Sequence, residues 1–203
     1  MVGNVIQILL TAVLSYIIGS IPTGYIVVKI AKNEDIRQIG SGSTGATNVK
    51  RVMGKKWFFI VLLLDAIKGM IPVFLAQWLV IPYSHIGLAP VVASVCVILG
   101  HSKSIFLNFT GGKSVASGIG TIIALSPMVG LTTAGIWALI TYTSKYVSLG
   151  SIVALFISPF LMYLFNPRIC YIIYCVIGAV YIIYLHRENI KRLIKGEENK
   201  VRE

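Results

Sequence analysis

The stretch WFFIVLLLDAIKGMIPVFLAQWLVI at 57–81 decides the fold class of this chain. It is longer than the roughly 20 predominantly apolar residues that a helix needs to cross a bilayer, and its only charges are Asp65 and Lys68. Across the chain, 56% of the residues are hydrophobic and 12% are charged, and the mean hydropathy is +0.84. A soluble domain of this length could not bury so much apolar surface. We therefore predict an all-α integral membrane protein.

Further apolar stretches follow the same pattern, and one of them is long enough for two helices. The stretch 115–143 is interrupted at Ser126-Pro127, which divides it into helices at 115–126 and 128–144. Seven transmembrane helices are thus predicted, in a single polytopic domain over residues 1–203. The first is interpreted as a retained helix and not a cleaved signal peptide, because no basic region precedes it and a polar motif follows it. The other stretches lie at 5–30, 57–81, 86–100, 147–165 and 169–185.

The basic residues predict the orientation of these helices. All but two of the 18 lysines and arginines, the exceptions being Lys68 and Arg168, fall in the loops 29–56 and 101–113, in the turn near 145 and in the C-terminal tail. The alternate segments, which include 82–85, are nearly free of them. Because lysine and arginine mark cytoplasmic loops, we predict an external N-terminus and a cytoplasmic C-terminus. The net charge of +11 then reflects topology and attraction to anionic lipid headgroups, with no nucleic-acid partner.

The cysteines indicate neither a disulfide framework nor a metal site. Cys96, Cys170 and Cys175 all lie inside apolar stretches, and their spacing does not match a set of metal ligands. They are interpreted as reduced, packed side chains. We expect no metal and no cofactor.

The run GSGSTGATNVKR at 40–51 has the composition of a phosphate-binding loop. Its glycines, Gly40, Gly42 and Gly45, allow the backbone to turn and to bring N–H groups close to an oxyanion. Arg51 offers a planar fork that suits phosphate, and a helix beginning near Ala46 would point its N-terminus at the same anion. The alternative is a flexible, solvated loop between helices. Short polar donors are also present at Ser41, Ser43, Thr44, Thr47 and Asn48.

A second polar run, GHSKSIFLNFTGGKSVASG at 100–118, contains Gly111-Gly112-Lys113 before a helix predicted to begin near Ser114. Two glycines and a lysine at a helix start favour phosphate binding. They do not form a nucleotide P-loop, because Phe106 and Leu107 stand where its earlier glycine is required. His101 could orient a group, titrate or be structural.

The third polar run, HRENIKRL at 186–193, follows the last apolar stretch. On a continuing helix His186, Asn189 and Ile190 would share one face. Arg187, Lys191 and Lys195 would form a separate basic face, which is interpreted as a solvated interfacial surface. For His186 and Asn189, functional and structural interpretations both stay open.

Two polar features lie within apolar stretches. Asp65 and Lys68 are spaced to pair on one helix, which lowers the cost of keeping them in lipid. The pair could support a site or take part in chemistry directly. GSIPTG at 19–24 breaks the first helix in its cytoplasmic half, either as a simple proline kink or as a loop that dips toward a site.

These motifs together resemble the bacterial acyl-phosphate:glycerol-3-phosphate acyltransferases, the PlsY family. The resemblance runs nearly end to end and rests on six motifs in order. They are GSIPTGYI at 19–26, GSGSTGATNVKR at 40–51, DAIKG at 65–69, GGKSVASG at 111–118, SLGS at 148–151 and HRENIKRLIKGEE at 186–198.

The resemblance implies transfer of a fatty acyl group from acyl phosphate to the 1-hydroxyl of glycerol 3-phosphate, at a site facing the cytoplasm of a bacterial cell membrane. The products would be lysophosphatidic acid and inorganic phosphate. The implied catalytic residues are Ser41, Arg51, Lys113, His186 and Asn189. The implied substrate-binding residues are Gly42, Thr47, Asn48, Gly111, Gly112, Lys68, Ser148 and Ser151. Asp65 and Glu198 are the implied structural supports.

The chain departs from the family pattern at a few positions in its loops. Ser43 stands where the family usually has asparagine, and Ser114 replaces the common glycine after the lysine of the second motif. After His101 the sequence reads Ser-Lys-Ser-Ile-Phe instead of the usual aromatic-proline run.

The chemistry of this reaction suits the residues present. Both substrates are anions, so cations such as Arg51 and Lys113 would bring them together, and loop N–H groups would stabilise the developing oxyanion. The proton of the attacking hydroxyl would go to His186 or to a phosphate oxygen of the substrate. The scarcity of carboxylates near the predicted site favours the phosphate.

Two other classes of membrane protein compete with this interpretation. The sequence counts against an acyl-CoA acyltransferase with histidine and aspartate five residues apart, because the positions five after His85, His101 and His186 are Pro90, Phe106 and Lys191. A transporter for a phosphorylated metabolite would suit broken helices and an intramembrane charge pair. The polar motifs gather toward one face and the sequence has no internal repeat, which favours the enzyme.

Overall fold

The computed structural model describes residues 2–80 and 87–201, and the only extended pairing among them is an isolated bridge between Ser104 and Thr110. The all-α prediction is therefore confirmed over these residues. The predicted external segment 82–85 lies outside them. The helices are α1 (Val2–Ser20), α2 (Thr23–Lys32), α3 (Ala46–Met53), α4 (Lys55–Leu79), α5 (Leu88–Ser102), α6 (Val115–Leu125), α7 (Pro127–Ser144), α8 (Val147–Phe165), α9 (Ile169–Leu185) and α10 (Arg187–Ile194).

Three helical stretches are long and apolar enough to cross a membrane: Val5–Lys32, Lys55–Leu79 and Val147–Phe165. Helices α9 and α10 make a fourth if the bent pair counts as one span, and α5 and α6 are shorter apolar helices. Large apolar side chains such as Leu9, Phe59 and Phe156 are exposed, as expected where the solvent is lipid. The prediction of seven spans stays a prediction.

The chain divides into two compact units, residues 1–121 and 122–203. In the first, α5 packs against α1 and α4. A side chain at Gly100 would collide with the carbonyl oxygen of Tyr16, and one at Gly120 would collide with that of Ala66. Small residues at these points let the helix backbones approach closely, as in other membrane helix pairs.

The break predicted at 19–24 is present. Helix α1 ends at Ser20 and α2 begins at Thr23, with Pro22 at the N-cap. Proline cannot supply a backbone N–H to the preceding turn, which accounts for the interruption.

In the second unit, α8 packs against both α7 and α9. The interruption at Ser126-Pro127 is present, with proline in the first turn of α7, where its missing N–H costs little. The chain also bends sharply at His186, between α9 and α10.

The helix predicted to continue through 186–190 does not do so, which corrects the prediction. The axes of α9 and α10 meet at 62°. The His186 ring bonds through Nδ1 to the carbonyl oxygen of Ile182 at 2.8 Å. The backbone N–H of His186 donates instead to the carbonyl oxygen of Ile183, three residues back, at 2.9 Å. The side chain thus competes with the backbone for the Ile182 carbonyl and ends the helix.

Candidate functional site

The first polar loop is shaped by the side chain of Asn48, which is 1% exposed. Its Nδ2 donates to the carbonyl oxygens of Ile39 and Ser43 at 2.9 Å each, with a longer bond to Ile36. Its Oδ1 accepts the backbone N–H of Ser41 at 3.0 Å. An asparagine in the first turn of α3 therefore holds the chain that precedes the helix. These contacts use the amide to build the loop, and a contact from Asn48 to substrate stays a prediction.

The glycines of this loop have a geometric role. Gly40 and Gly42 adopt φ of +64° and +69°, a region that side chains with a Cβ rarely occupy. At Gly40 a Cβ would also collide with Oδ1 of Asn48. The turn therefore needs glycine for its own shape, in addition to any approach of an anion.

The predicted phosphate-binding side chains of this loop are accessible. Ser41 and Arg51 are exposed, and Thr47 is half-buried. Arg51 forms no ion pair with any acidic side chain of the described residues. Helix α3 begins at Ala46 with Gly45 as its N-cap, as predicted. The helix start, the exposed hydroxyl of Ser41 and the guanidinium together offer donors to an anion.

The second polar loop is anchored to the end of α1. Ser104 pairs with Thr110 across the loop, and its hydroxyl donates to the carbonyl oxygen of Ser20 at 2.5 Å. Lys113 is half-buried at the end of this loop. Ser114 adopts φ of +59° and donates from Oγ to the carbonyl oxygen of Ile98 at 2.9 Å. The position after the lysine is thus left-handed, a conformation that glycine would adopt with less strain.

The intramembrane charges predicted to pair do pair. Lys68 Nζ lies 2.8 Å from Oδ1 of Asp65, and both side chains are buried. Lys68 also donates to the carbonyl oxygen of Ile21 at 2.7 Å, within the break between α1 and α2. The Thr23 hydroxyl donates to the same Asp65 oxygen. A buried ion pair needs further hydrogen bonds to offset its desolvation, and Ile21 and Thr23 supply one to each partner.

His101 joins this cluster, which the sequence did not predict. Its Nδ1 lies 3.6 Å from Oδ1 of Asp65. The one available signal was its position beside Gly100 at the end of an apolar stretch. The contact between Asp65 and Thr23 was also missed, because the sequence gives no register between α2 and α4.

The third polar run forms its own cluster in the second unit. His186 and Asn189 are both buried, at 4% and 7% exposed. The Nδ1 of His186 donates to Ile182, since a carbonyl oxygen can only accept. In its neutral form, the imidazole then carries its lone pair on Nε2. A ring fixed in this tautomer can accept a proton at Nε2.

Glu198 is the centre of this cluster. Its Oε1 accepts from Asn189 at 2.6 Å and from Ser148 at 2.8 Å, and its Oε2 accepts from Arg192 at 2.7 Å. Burial opposes ionisation of the carboxyl, but the hydrogen bonds from Asn189, Ser148 and Arg192 outweigh it and hold the pKa of Glu198 below its ordinary value.

Of the two serines predicted as donors, only Ser148 contacts this cluster among the described interactions. Ser151 donates to the carbonyl oxygen of Val147 at 2.8 Å and accepts from Nε1 of Trp137 at 3.2 Å. Its polar atom therefore ties α7 to α8. Binding of substrate by either serine stays a prediction.

Within the described ranges, no group of three or more histidine, cysteine or acidic side chains is placed to hold a metal ion. The expectation of a reaction without metal or cofactor stays a prediction.

The chain is similar to proteins of one family along almost its whole length. A family model described as glycerol-3-phosphate acyltransferase matches residues 9–196. A glycerol-3-phosphate acyltransferase of Nostoc sp. is 44% identical over 200 residues, covering 92% of this chain and 88% of that protein. One from a strain of Prochlorococcus marinus is 47% identical over 189 residues, covering 92% and 94%.

Two solved structures share the fold. One is the crystal structure of PlsY, an integral membrane glycerol 3-phosphate acyltransferase, in its glycerol 3-phosphate form, with a TM-score of 0.90 and 34% identity over 96% of each chain. The other is the lysophosphatidic acid form of PlsY, with a TM-score of 0.87 and 33% identity over 96% of this chain and 95% of that one.

Proposed function

Because this chain belongs to the glycerol-3-phosphate acyltransferase family, we propose that it transfers a fatty acyl group from acyl phosphate to the 1-hydroxyl of sn-glycerol 3-phosphate. The hydroxyl oxygen forms the new ester bond to the acyl carbon, and the carbon–oxygen bond to phosphate breaks. The products are lysophosphatidic acid and inorganic phosphate. The observation that carries the proposal is the near-complete match to a structure of PlsY described in its glycerol 3-phosphate form.

The polar loops of the first unit suit two anionic substrates. Arg51 is exposed and pairs with no acidic side chain within residues 2–80 and 87–201, so we assign its guanidinium to a phosphate, and Lys113 supplies a second cation. We assign both to the phosphate groups of the substrates, with Ser41 and Thr47 donating hydrogen bonds beside Arg51. Gly42, whose N–H donates to the carbonyl oxygen of Ile39 at 3.2 Å, lets the backbone turn next to them. Gly111 contributes a backbone N–H group beside Lys113, while Gly112, whose own N–H donates to the carbonyl oxygen of His101 at 3.1 Å, gives the loop its shape there. Fixed donors of this kind stabilise negative charge that develops during acyl transfer.

The base is the remaining question of mechanism. In the part of the chain that the structure describes, two carboxylates are buried, and both accept hydrogen bonds. Asp65 accepts from Lys68 and Thr23, and Glu198 accepts from Asn189, Ser148 and Arg192. A carboxylate held ionised by such donors is a weak base. We propose that a phosphate oxygen of the substrate takes the hydroxyl proton, while His186 and Asn189 orient the substrate.

The location follows from the same proposal. The chain is an all-helical integral membrane protein of a bacterial family. We assign it seven spans in the cytoplasmic membrane, as one polytopic enzyme with an external N-terminus. The distribution of lysine and arginine supports cytoplasmic placement of all three polar runs.

A donor comparison tests the proposal directly. The purified protein in detergent would be given glycerol 3-phosphate with either palmitoyl phosphate or palmitoyl-CoA, and lysophosphatidic acid would be measured. Product with palmitoyl phosphate alone is expected. Product with palmitoyl-CoA would overturn the assigned donor. No product from either donor, in protein shown to be folded, would overturn the proposed reaction.

A further inference from the structure

His101 lies between the buried charges of α4 and the glycines of the second polar loop. On one side, its Nδ1 is 3.6 Å from Oδ1 of Asp65. On the other side, its Nε2 faces Gly112 so closely that a Cβ on Gly112 would collide with that atom. The residue is 7% exposed. One imidazole therefore separates an intramembrane carboxylate from the loop that carries Lys113.

The main chain of His101 contacts the same loop. Its carbonyl oxygen accepts the backbone N–H of Gly112 at 3.1 Å. A Cβ on Gly111 would collide with this same carbonyl oxygen. Both glycines thus fit against His101, the first against its backbone and the second against its ring. Their lack of side chains is explained by this contact alone, before any ligand is considered.

The far side of the ring faces a carboxylate that is itself held in place. Asp65 Oδ1 accepts from Lys68 and from Thr23. Lys68 in turn holds the carbonyl oxygen of Ile21, in the break between α1 and α2. A charge fixed by several partners in a low-dielectric environment is a rigid anchor.

We propose that His101 is a positioning residue, through which the Asp65–Lys68 pair holds Gly111 and Gly112 in the conformation that presents Lys113 and the loop N–H groups to a phosphate. The inference rests on the proposed function, since it assigns a means of control to the same phosphate-binding loop. His101 itself touches no reacting atom in this scheme. Its effect is expected on the affinity for phosphate-bearing ligands, because misplacing a binding group by about 1 Å can cost on the order of 100-fold.

A histidine that only fills space in the helix bundle would behave differently. Its replacement would lower the thermal stability of the protein and leave the phosphate affinity of the folded fraction unchanged. Ser94 provides a matched control, because it is fully buried on the same helix and its hydroxyl donates within that helix, to the carbonyl oxygen of Pro90 at 2.7 Å. Ser94→Ala therefore shows how removing a buried polar group from α5 affects the protein when no contact to the second polar loop is changed.

The first experiment measures binding of inorganic phosphate by calorimetry to the purified wild type, His101→Asn and Ser94→Ala. His101→Asn keeps a polar group toward Asp65 and removes the part of the ring that faces Gly112. We expect its phosphate affinity to fall about 10-fold or more, with Ser94→Ala like the wild type. Equal affinity of folded His101→Asn and wild type would overturn the proposal.

A double-mutant cycle keeps the test decisive if His101→Asn binds weakly through poor folding. Gly112→Ala is made in the wild type and in His101→Ala, and the melting temperature of each is measured. Removing the ring leaves room for the new Cβ, so Gly112→Ala should lower the melting temperature less in His101→Ala than in wild type. Equal effects in both backgrounds would show that ring and loop are not coupled, which would overturn the proposal. Neither readout requires turnover, so a failed acyl-transfer assay would count against the proposed function alone.

Discussion

Asn189 donates a hydrogen bond of 2.6 Å to Glu198, nine positions further along the chain. The same carboxylate accepts from Ser148 at the start of α8 and from Arg192 on α10. The tail is also held by its backbone, since the N–H of Val201 donates to the carbonyl oxygen of Lys145 at 2.7 Å. The segment after α10 therefore folds back toward the start of α8, and its Glu198 carboxylate holds the Asn189 side chain in place.

The hydrogen bonds that Glu198 accepts should make the free energy of unfolding fall in acid. The pKa of Glu198 is lowered in the folded state, so its stabilisation is complete above the unfolded pKa of about 4.3 and is lost as the pH falls through the folded value. Glu198→Gln should lower stability at pH 7 by about 1–3 kcal/mol, and its difference from wild type should shrink toward pH 3. Melting temperatures across this range provide the test. Glu197→Gln, at an exposed neighbouring position, is the control, and a Glu198→Gln difference that is constant with pH would contradict the assignment.

The two cations assigned to substrate phosphate should be needed for turnover and not for folding. Arg51→Ala and Lys113→Ala are each expected to reduce kcat/KM by about 10²–10³-fold, because each removes a charge-assisted contact to a developing anion. Arg51→Lys should recover only part of the loss, since lysine lacks the planar fork. Lys56→Ala, at an exposed position at the start of α4, should match wild type. Near-wild-type turnover in either alanine variant would remove that residue from the site.

Close helix packing in the first unit predicts unequal effects for two glycine substitutions. At Gly120 a Cβ would meet the backbone of Ala66, whereas at Gly135 it would meet nothing within 4 Å. Gly120→Ala should therefore destabilise the protein by about 1–3 kcal/mol. Gly135→Ala should be neutral or slightly stabilising, because alanine is the better helix former. Thermal unfolding in the same detergent compares them, and similar melting temperatures for the two variants would argue against the packing described.

The pattern of residues in the sequence predicted the helices and their boundaries better than it predicted the contacts between helices. The helix start at Ala46, the breaks after Ser20 and before Pro127, and the Asp65–Lys68 pair all follow from local sequence, and each is present. These features depend on neighbours within four residues or on proline and glycine. Local chemistry is enough to specify them.

The missed features are long-range or arise from competition for one acceptor. The approach of His101 to Asp65 needs the register of α5 against α4, which a single sequence does not contain. The bend at His186 arises because its ring takes the Ile182 carbonyl, and helical periodicity cannot show this. Asn48 was predicted as a ligand donor, but the structure shows that its amide also shapes the loop.

Ser114 provides a test of how the loop after Lys113 is stabilised. It adopts φ of +59° and bonds to the Ile98 carbonyl, which also accepts from Ser102. Ser114→Gly loses a bond worth about 1 kcal/mol but relieves left-handed strain of about 1–2 kcal/mol, so its stability should stay close to wild type. Ser114→Ala loses the bond and keeps the strain, and should be about 1–2 kcal/mol less stable than Ser114→Gly. Equal stability of the two variants would show that the strain at this position is negligible.

The identity of the base predicts a distinct pH profile for one variant. The second pKa of a phosphate monoester is about 6, so a substrate phosphate acting as base makes kcat/KM rise with pH through that region. His186→Gln cannot accept the proton, yet under this mechanism it should keep the rising limb, with a lower rate from poorer substrate orientation. If His186 is the base, its replacement should remove the limb and cost about 10²–10⁴-fold. Profiles of wild type and His186→Gln between pH 5 and 8 separate the two routes, since the limb in the variant can come only from the substrate or from a group other than His186.

A substrate analogue then tests which group the limb reports. Repeating the profile with a phosphonate analogue of glycerol 3-phosphate, whose second pKa is higher, should move the limb to higher pH in both proteins. A limb that does not move would exclude the glycerol 3-phosphate group as the base.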